Sequence, residues 1–120
     1  MEIRRSSEDY LEAMLMLREK LGFVRSIDVA EQLSVTKPSV SYAVKRLREN
    51  GYITTDKNGL IELTSSGYEI AERIYTRHKV LTTFLTQLGV PEDIARADAC
   101  KLEHDISQES FDAILKHAQK

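Results

Sequence analysis

The chain has 120 residues, of which 42% are hydrophobic and 30% charged, and its formal net charge is −2. A chain of this length accommodates one compact domain with a helical extension rather than two full domains, and its short apolar runs exclude a membrane span. Residues 1–7 lack the apolar core of a secretory signal, and a single cysteine excludes an internal disulfide, so we expect a cytoplasmic protein.

Two helices are predicted at the start of the chain. Residues 7–21 carry apolar side chains at helical spacing, with Ser6 or Ser7 as the cap and Gly22 as the end. A second, short helix is predicted to begin at Ser26. Its expected buried stripe consists of Ile27, Ala30 and Leu33.

A third helix is predicted after a tight turn at residues 34–35. Thr36 is the expected N-cap, and Pro38 lies in the first turn, where its missing N–H costs no hydrogen bond. Gly51 is expected to end this helix. Its predicted buried face consists of Val40, Val44 and Leu47.

The rest of the chain is predicted to form a hairpin and three more helices. Two short β-favouring runs, 52–55 and 60–63, are separated by a turn whose Asn-Gly pair predicts a tight hairpin. Thr64 is expected to cap a long helix that connects the two halves of the chain rigidly. Pro91 opens the next helix, and Ser107 caps the last one.

Two helices joined by a short turn and followed by a hairpin are typical of a winged helix-turn-helix, whose second helix enters the major groove of DNA. The net charge argues weakly against nucleic acid, but residues 36–50 carry four basic side chains against one acidic side chain. We expect hydroxyls and a proline to contact bases and cations to contact phosphates. The candidate DNA-binding residues are Arg25, Thr36, Lys37, Pro38, Ser39, Ser41, Tyr42, Lys45, Arg46 and Lys57.

The fifth predicted helix carries metal-binding side chains. Cys100, Glu103 and His104 fall at i, i+3 and i+4, so a thiol, a carboxylate and an imidazole share one helical face, a mixture that suits a divalent first-row metal. Two acids one turn apart in the first helix would add ligands if that helix packs against the fifth, and one histidine lies midway along the long helix. The candidate ligands are Asp9, Glu12, His78, Cys100, Glu103 and His104.

Two other interpretations remain open at this point. In the first, the chain is a metal-independent winged-helix regulator, because a lone cysteine or histidine on a helix is more often structural than a ligand. In the second, the chain is a small metalloenzyme with Glu103 as a general base beside a bound metal. The sequence contains no additional nucleophile, phosphate loop or cofactor motif, so we do not expect an enzyme.

The sequence resembles the diphtheria toxin repressor and manganese transport regulator family of metal-dependent repressors. The resemblance runs nearly end to end, through SEDYLE at 7–12, AEQL at 30–33, PSVS at 38–41, LTSSG at 63–67, RH at 77–78 and CKLEH at 100–104. It implies a homodimer that binds Fe(II) or Mn(II), one or two ions per protomer, through the six candidate ligands, and then binds operators of metal uptake genes. It also implies a mainly α architecture, with a winged helix-turn-helix domain at 1–63 and an all-helical metal-binding and dimerisation domain at 64–120.

The chain departs from both branches of that family. The manganese branch typically has Glu where Cys100 stands, and the iron branch has Met where Asp9 stands and no acid at the position of Glu12. The iron branch also has an ancillary site, which needs Glu and His where this chain has Thr82 and Arg96. The resemblance is to the shorter manganese regulators, without the SH3-like domain, although the thiolate tilts the expected metal slightly towards Fe(II).

The last two predicted helices carry more apolar surface than so short a half can bury alone. We therefore expect this surface to pack into a dimer interface. The residues concerned are Leu102, Ile106, Phe111, Ile114 and Leu115.

Overall fold

The computed structural model describes residues 4–118, so residues 1–3 of the stretch considered for a secretory signal lie outside the described part. Residues 4–118 form a mainly α structure with one two-stranded sheet, as predicted. The elements are α1 (Arg5–Leu21), α2 (Ser26–Leu33), α3 (Lys37–Glu49), β1 (Ile53–Thr55), β2 (Ile61–Leu63), α4 (Ser65–Gln87), α5 (Glu92–Asp105) and α6 (Gln108–Ala118).

The elements divide into two compact units, and the boundary falls inside α4, between Glu72 and Arg73. Unit 1 contains α1 to β2 and the start of α4, whereas unit 2 contains the rest of α4 with α5 and α6. None of the helices within residues 4–118 has the length and apolar character needed to cross a membrane.

Helix α1 begins earlier than predicted. The expected cap at Ser6 or Ser7 is wrong, because Arg4 already has extended backbone angles and its carbonyl accepts the first helical hydrogen bond, from the N–H of Glu8, at 3.0 Å. Both serines therefore lie inside the first turn. The predicted end is confirmed, since Gly22 adopts a left-handed conformation with φ of 83°.

Helix α2 begins at Ser26 as predicted, but its buried side differs from the expected stripe. Val29 is fully buried, and Ile27 is 51% exposed. These two residues lie about 200° apart around the helix axis, so a helix that buries Val29 turns Ile27 outwards. Ala30 is buried and Leu33 is half-buried, as a shared face with Val29 requires.

The wing is an antiparallel hairpin in which Ile53 pairs with Leu63 and Thr55 pairs with Ile61. Its turn is longer than a two-residue Asn-Gly turn, because the backbone N–H of Asp56 donates to the carbonyl of Leu60 at 3.1 Å and leaves three residues between them. The carboxylate of Asp56 accepts hydrogen bonds from the N–H groups of Asn58 and Leu60 within this turn. The hairpin joins the rest of unit 1 through a backbone hydrogen bond of 2.8 Å from Ile61 to the carbonyl of Val24.

Helix α4 starts against the base of the wing. Thr64 caps it as predicted, accepting from the N–H of Gly67 at 3.2 Å and donating to the carbonyl of Gly51 at 2.7 Å. Gly67 is required here, since a Cβ atom at this position would lie 2.0 Å from the carbonyl oxygen of Tyr52. The backbone of α4 thus lies directly on the backbone that enters β1.

Unit 2 has its own small apolar core. Leu81 of α4, Ala99 of α5 and Phe111 of α6 are buried together, and partly buried apolar residues pack around them: Val80, Ile106, Ile114 and Leu115. The predicted cap of α6 is confirmed, because the hydroxyl of Ser107 accepts from the N–H of Ser110 at 3.1 Å.

Candidate DNA interface and metal centre

The expected DNA-binding residues lie in three places in unit 1: before α2, on and before α3, and in the turn of the wing. Every one of them is exposed to solvent, which a residue must be to reach a base or a phosphate. They are Arg25, Thr36, Lys37, Pro38, Ser39, Ser41, Tyr42, Lys45, Arg46 and Lys57.

The hydroxyls at the start of α3 cap the helix. The hydroxyl of Thr36 accepts from the N–H of Ser39 at 3.2 Å and donates to the hydroxyl of Ser39 at 2.9 Å. Together with Pro38 in the first turn, this pair defines where the helix begins. The side chains available for DNA contacts beyond the cap are those of Lys37, Ser41 and the longer residues that follow.

Tyr42 is the most prominent apolar side chain of α3, with 64% of its surface exposed. Arg46, one turn later, lies with its guanidinium 5.8 Å from the centre of the Tyr42 ring and donates to the Tyr42 hydroxyl at 3.4 Å. This contact restricts both side chains, so the helix presents a preordered aromatic and cationic pair.

The wing is tied to α3 by a hydrogen bond of 3.2 Å from Arg48 to the hydroxyl of Thr55. This contact fixes the hairpin that carries Lys57 relative to α3. Before α2, the Arg25 guanidinium lies over the ring of Phe23 at 5.7 Å. Both contacts place positive charges on rigid elements.

A cleft of about 560 Å³ separates the start of α1 from α3. Arg4 and Arg46 contribute positive charge to its walls, and hydroxyl groups line much of the remainder. Burial raises the pKa of the Tyr10 phenol in this cleft, so that side chain stays neutral and can donate a hydrogen bond. Sequence reasoning did not single out this cleft, because its two walls are 29 or more residues apart in the chain.

The strongest candidate for a metal centre in unit 2 is built around Glu103, which has no exposed surface. Its two carboxylate oxygens contact different imidazoles: Oε2 lies 2.9 Å from Nδ1 of His78, and Oε1 lies 3.4 Å from Nε2 of His104. The Oε1 atom has no hydrogen-bond partner within residues 4–118. A buried carboxylate with an unsatisfied oxygen is costly unless a cation shares it.

The donor atoms of this cluster lie close enough together to share a cation, since Nδ1 of His78 is 2.9 Å and Nε2 of His104 is 3.4 Å from a carboxylate oxygen of Glu103. A carboxylate with two imidazoles is also a donor set that suits divalent first-row metals.

The other candidate ligands are placed as follows. Cys100 lies on α5, one turn before Glu103, and is exposed. Asp9 and Glu12 lie one turn apart on α1; Asp9 is half-buried, and Glu12 is only 7% exposed. His78, Glu103 and His104 therefore lie together in unit 2, and Asp9 and Glu12 belong to unit 1.

Arg77, which belongs to the RH pair at 77–78, lies near this cluster and was not among the predicted site residues. It is 5% exposed and donates to the backbone carbonyl of Glu103 at 3.1 Å. No local pattern distinguishes it from the exposed arginines of the chain, because its acceptors lie 26 or more residues away.

A winged helix with an exposed basic recognition helix, followed by a helical unit with a His–Glu–His cluster, defines a metal-responsive DNA-binding regulator. Two family models match in succession: "Iron dependent repressor, N-terminal DNA binding domain" over residues 2–61 and "Iron dependent repressor, metal binding and dimerisation domain" over residues 64–120. The chain belongs to this family of metal-dependent transcriptional repressors.

Curated relatives bear related names. The chain is 37% identical to "Transcriptional regulator MntR" of Salmonella typhimurium over 113 residues, which cover 94% of this chain and 72% of the relative. It is 38% identical to "HTH-type transcriptional regulator MntR" of Bacillus subtilis over 109 residues, which cover 91% of this chain and 77% of the relative.

Solved structures show the same fold. The manganese regulator SloR superposes with a TM-score of 0.82 at 30% identity over 94% of this chain, and IdeR of T. acidophilum superposes with a TM-score of 0.85 at 22% identity over the whole chain. The chain spans only 53% and 56% of the lengths of these two proteins. At 22% identity, the second likeness concerns the fold alone.

Proposed function

We propose that this protein is a homodimeric repressor whose affinity for operator DNA rises when Fe(II) or Mn(II) binds. The observation that carries the proposal is the buried Glu103, held between His78 and His104 in a chain whose other unit is a winged helix. The names of the relatives, which include manganese regulators, support the choice of metals.

The proposed ligands combine the unit 2 cluster with side chains at three further positions. Cys100 would contribute a thiolate from the same face of α5, and Asp9 and Glu12 would contribute carboxylates from α1. Glu12 is only 7% exposed, and carboxylates are ligands that divalent first-row metals accept. The full set is Asp9, Glu12, His78, Cys100, Glu103 and His104.

The arrangement of Glu103 supports up to two ions per protomer. Its two oxygens face different histidines, so Glu103 would offer a separate donor atom beside each imidazole. A histidine nitrogen or a carboxylate oxygen that carries a proton must lose it before it binds an ion. Metal binding therefore releases protons, and we expect activation to weaken in mild acid.

Metal binding would act on DNA affinity through the position of the recognition helices. In a dimer, two α3 helices must meet successive major grooves, roughly 34 Å apart. Bound metal would restrict the motion of the helices that carry its ligands, so that less freedom is lost when DNA binds. The metal can shift this equilibrium only as far as it prefers the DNA-competent arrangement.

The dimer would form through unit 2, where apolar side chains remain exposed. Leu102 of α5 is 42% exposed, and Ile94 on the same helix is 49% exposed. Such surface is suited to an isologous interface with a second copy of the chain. In unit 1, the walls of the cleft between α1 and α3 would add phosphate contacts, through Arg4 and Arg46.

A titration of the metal-free protein tests this function. Fe(II) or Mn(II) is added under anaerobic conditions to protein and operator-length DNA, and DNA affinity is measured by fluorescence anisotropy. We expect affinity to rise by at least about tenfold, a coupling within the usual allosteric range. Unchanged affinity at saturating metal would refute the switch.

Replacing Glu103→Gln sharpens the test. The change keeps the shape of the side chain but removes the charge that holds an ion, so metal-induced DNA binding should disappear while the folded content stays unchanged. The matched control is Glu109→Gln on α6, an exposed acid, which should respond to metal like the unaltered protein.

A further inference from the structure

Arg77 is the only arginine within residues 4–118 that is buried. Its guanidinium donates from Nη1 to the carbonyls of Glu103 at 3.1 Å and Ile106 at 2.9 Å, and from Nη2 to Oε1 of Gln108 at 3.0 Å. It also lies 5.4 Å from the centre of the Phe111 ring. One side chain of α4 therefore holds the end of α5, the connection that follows and the start of α6.

The position of these acceptors explains the need for a buried cation. The last four carbonyls of a helix have no N–H partner within that helix, and Glu103 lies in the last turn of α5, which ends at Asp105. Buried carbonyls that lose their donor cost free energy, because water cannot reach them. Arg77 supplies such donors, with a geometry that lysine cannot reproduce.

His78, the residue after Arg77 on α4, contacts the side chain of Glu103. His78 contacts its carboxylate at 2.9 Å, while Arg77 holds its carbonyl. Two successive residues of one helix thus fix both the backbone and the side chain of the same glutamate. The direction of the carboxylate depends on where its Cα is held, so a shift of the backbone would move both oxygens.

We propose that Arg77 is a positioning residue of the metal centre. By holding the backbone of Glu103, it keeps the carboxylate where His78, His104 and an ion share it. This inference rests on the proposed metal-binding function. A merely structural role, in which Arg77 only joins α5 to α6, predicts lower stability but no specific loss of metal affinity.

The test compares metal affinity with stability in two variants of the whole chain. Arg77→Met removes the donors and keeps an apolar side chain of similar length. The control is Leu81→Ala, which creates a cavity in the apolar core of the same unit without touching the Arg77 hydrogen bonds. Mn(II) affinity is measured from the electron paramagnetic resonance signal of free Mn(II), under conditions where urea titration shows each variant to be folded.

We expect Arg77→Met to weaken Mn(II) binding by about tenfold or more, the usual effect of removing a group that orients a ligand. Leu81→Ala should weaken binding by less than about threefold, although it lowers the urea midpoint at least as much. Wild-type affinity in Arg77→Met, or equal losses in both variants, would overturn the proposal.

A second variant decides the matter if Arg77→Met does not fold. Arg77→Lys keeps the charge but cannot span all three acceptors, so a folded variant with a loss of about threefold to tenfold supports the proposal. Wild-type affinity in Arg77→Lys would overturn it.

A metal-free measurement separates this inference from the proposed function. If the unaltered chain binds neither Fe(II) nor Mn(II), the proposed function fails, and the ¹⁵N spectrum of His78 then tests the positioning of the Glu103 carboxylate by Arg77 alone. A carboxylate only accepts hydrogen bonds, so the contact with Glu103 should place the imidazole proton on Nδ1. Arg77→Met should lose this tautomer preference, and an unchanged preference would overturn the proposal.

Discussion

The recognition helix α3 and the Glu103 cluster carry their functional groups in opposite surroundings. On α3 the candidate DNA contacts are exposed, whereas Glu103 has no exposed surface. Its carboxylate contacts two imidazoles, and its backbone carbonyl accepts a hydrogen bond from Arg77. Exposed contacts can be removed one at a time with roughly additive effects. Groups that share a buried network cannot be removed one at a time with additive effects, because the removal of one group changes the positions of its neighbours.

The largest expected effect comes from a substitution at the close contact between the backbone of α4 and the backbone that enters β1. Gly67→Ala would place a Cβ atom against the carbonyl of Tyr52, so one of the two segments must move. We expect a loss of about 3 kcal/mol of stability from this overpacking, although Ala usually stabilises a helix relative to Gly. Urea denaturation measures the effect. Ser66→Ala, at an exposed position of the same helix, should change the free energy of unfolding by less than about 0.5 kcal/mol. An unchanged urea midpoint for Gly67→Ala would contradict the close approach of Gly67 to Tyr52.

A second change removes one exposed contact from the recognition helix. Arg46→Ala deletes a phosphate-binding charge and frees Tyr42, so DNA affinity should fall by about tenfold and the salt dependence should lose about one unit of slope. Metal affinity should not change. Arg18→Ala removes the same charge from the last turn of α1 and serves as the control. An unaltered salt slope for Arg46→Ala would exclude its contact with phosphate.

A third change tests how the metal centre selects its ion. Cys100→Glu replaces a soft thiolate with a hard carboxylate, so the preference for Mn(II) over Zn(II) or Cd(II) should rise on the order of tenfold. Competition titrations against a chromophoric chelator measure it. Cys100→Ser has nearly the same size and lacks the charge, so it should weaken every metal. Identical preferences in the wild type and Cys100→Glu would remove Cys100 from the ligand set.

The smallest expected effect concerns the cap of α3. Thr36→Ala removes the side-chain acceptor for the N–H of Ser39 and should cost about 1 kcal/mol of stability. Ser41→Ala, an exposed change one turn further along, should cost less than about 0.5 kcal/mol. Urea denaturation of both variants measures the difference. Equal midpoints would show that the cap contributes little to unit 1.

Most of the fold was predictable, because local signals set where the helices begin and end. Thr36, Thr64 and Ser107 accept the predicted N-terminal hydrogen bonds, and Gly22 adopts the left-handed conformation that ends α1. The errors arose where two local choices were nearly equivalent. Arg4 replaced the serines as the start of α1, and Val29 replaced Ile27 on the buried side of α2, since a short helix can turn either face inwards.

The candidate site was predictable only as a set of residue types. Spacing along α5 placed Glu103 and His104 on one face, but nothing local paired Glu103 with His78, 25 residues earlier. The contact between Arg77 and the backbone of Glu103 was missed for the same reason. The sequence by itself determined the helices, the wing and the chemistry available for metal and DNA, because hydrogen bonds and steric limits between near neighbours set these features. Only the tertiary structure decided which carboxylate is buried and which imidazoles and guanidinium hold it, since burial and charge pairing depend on groups that only packing brings together.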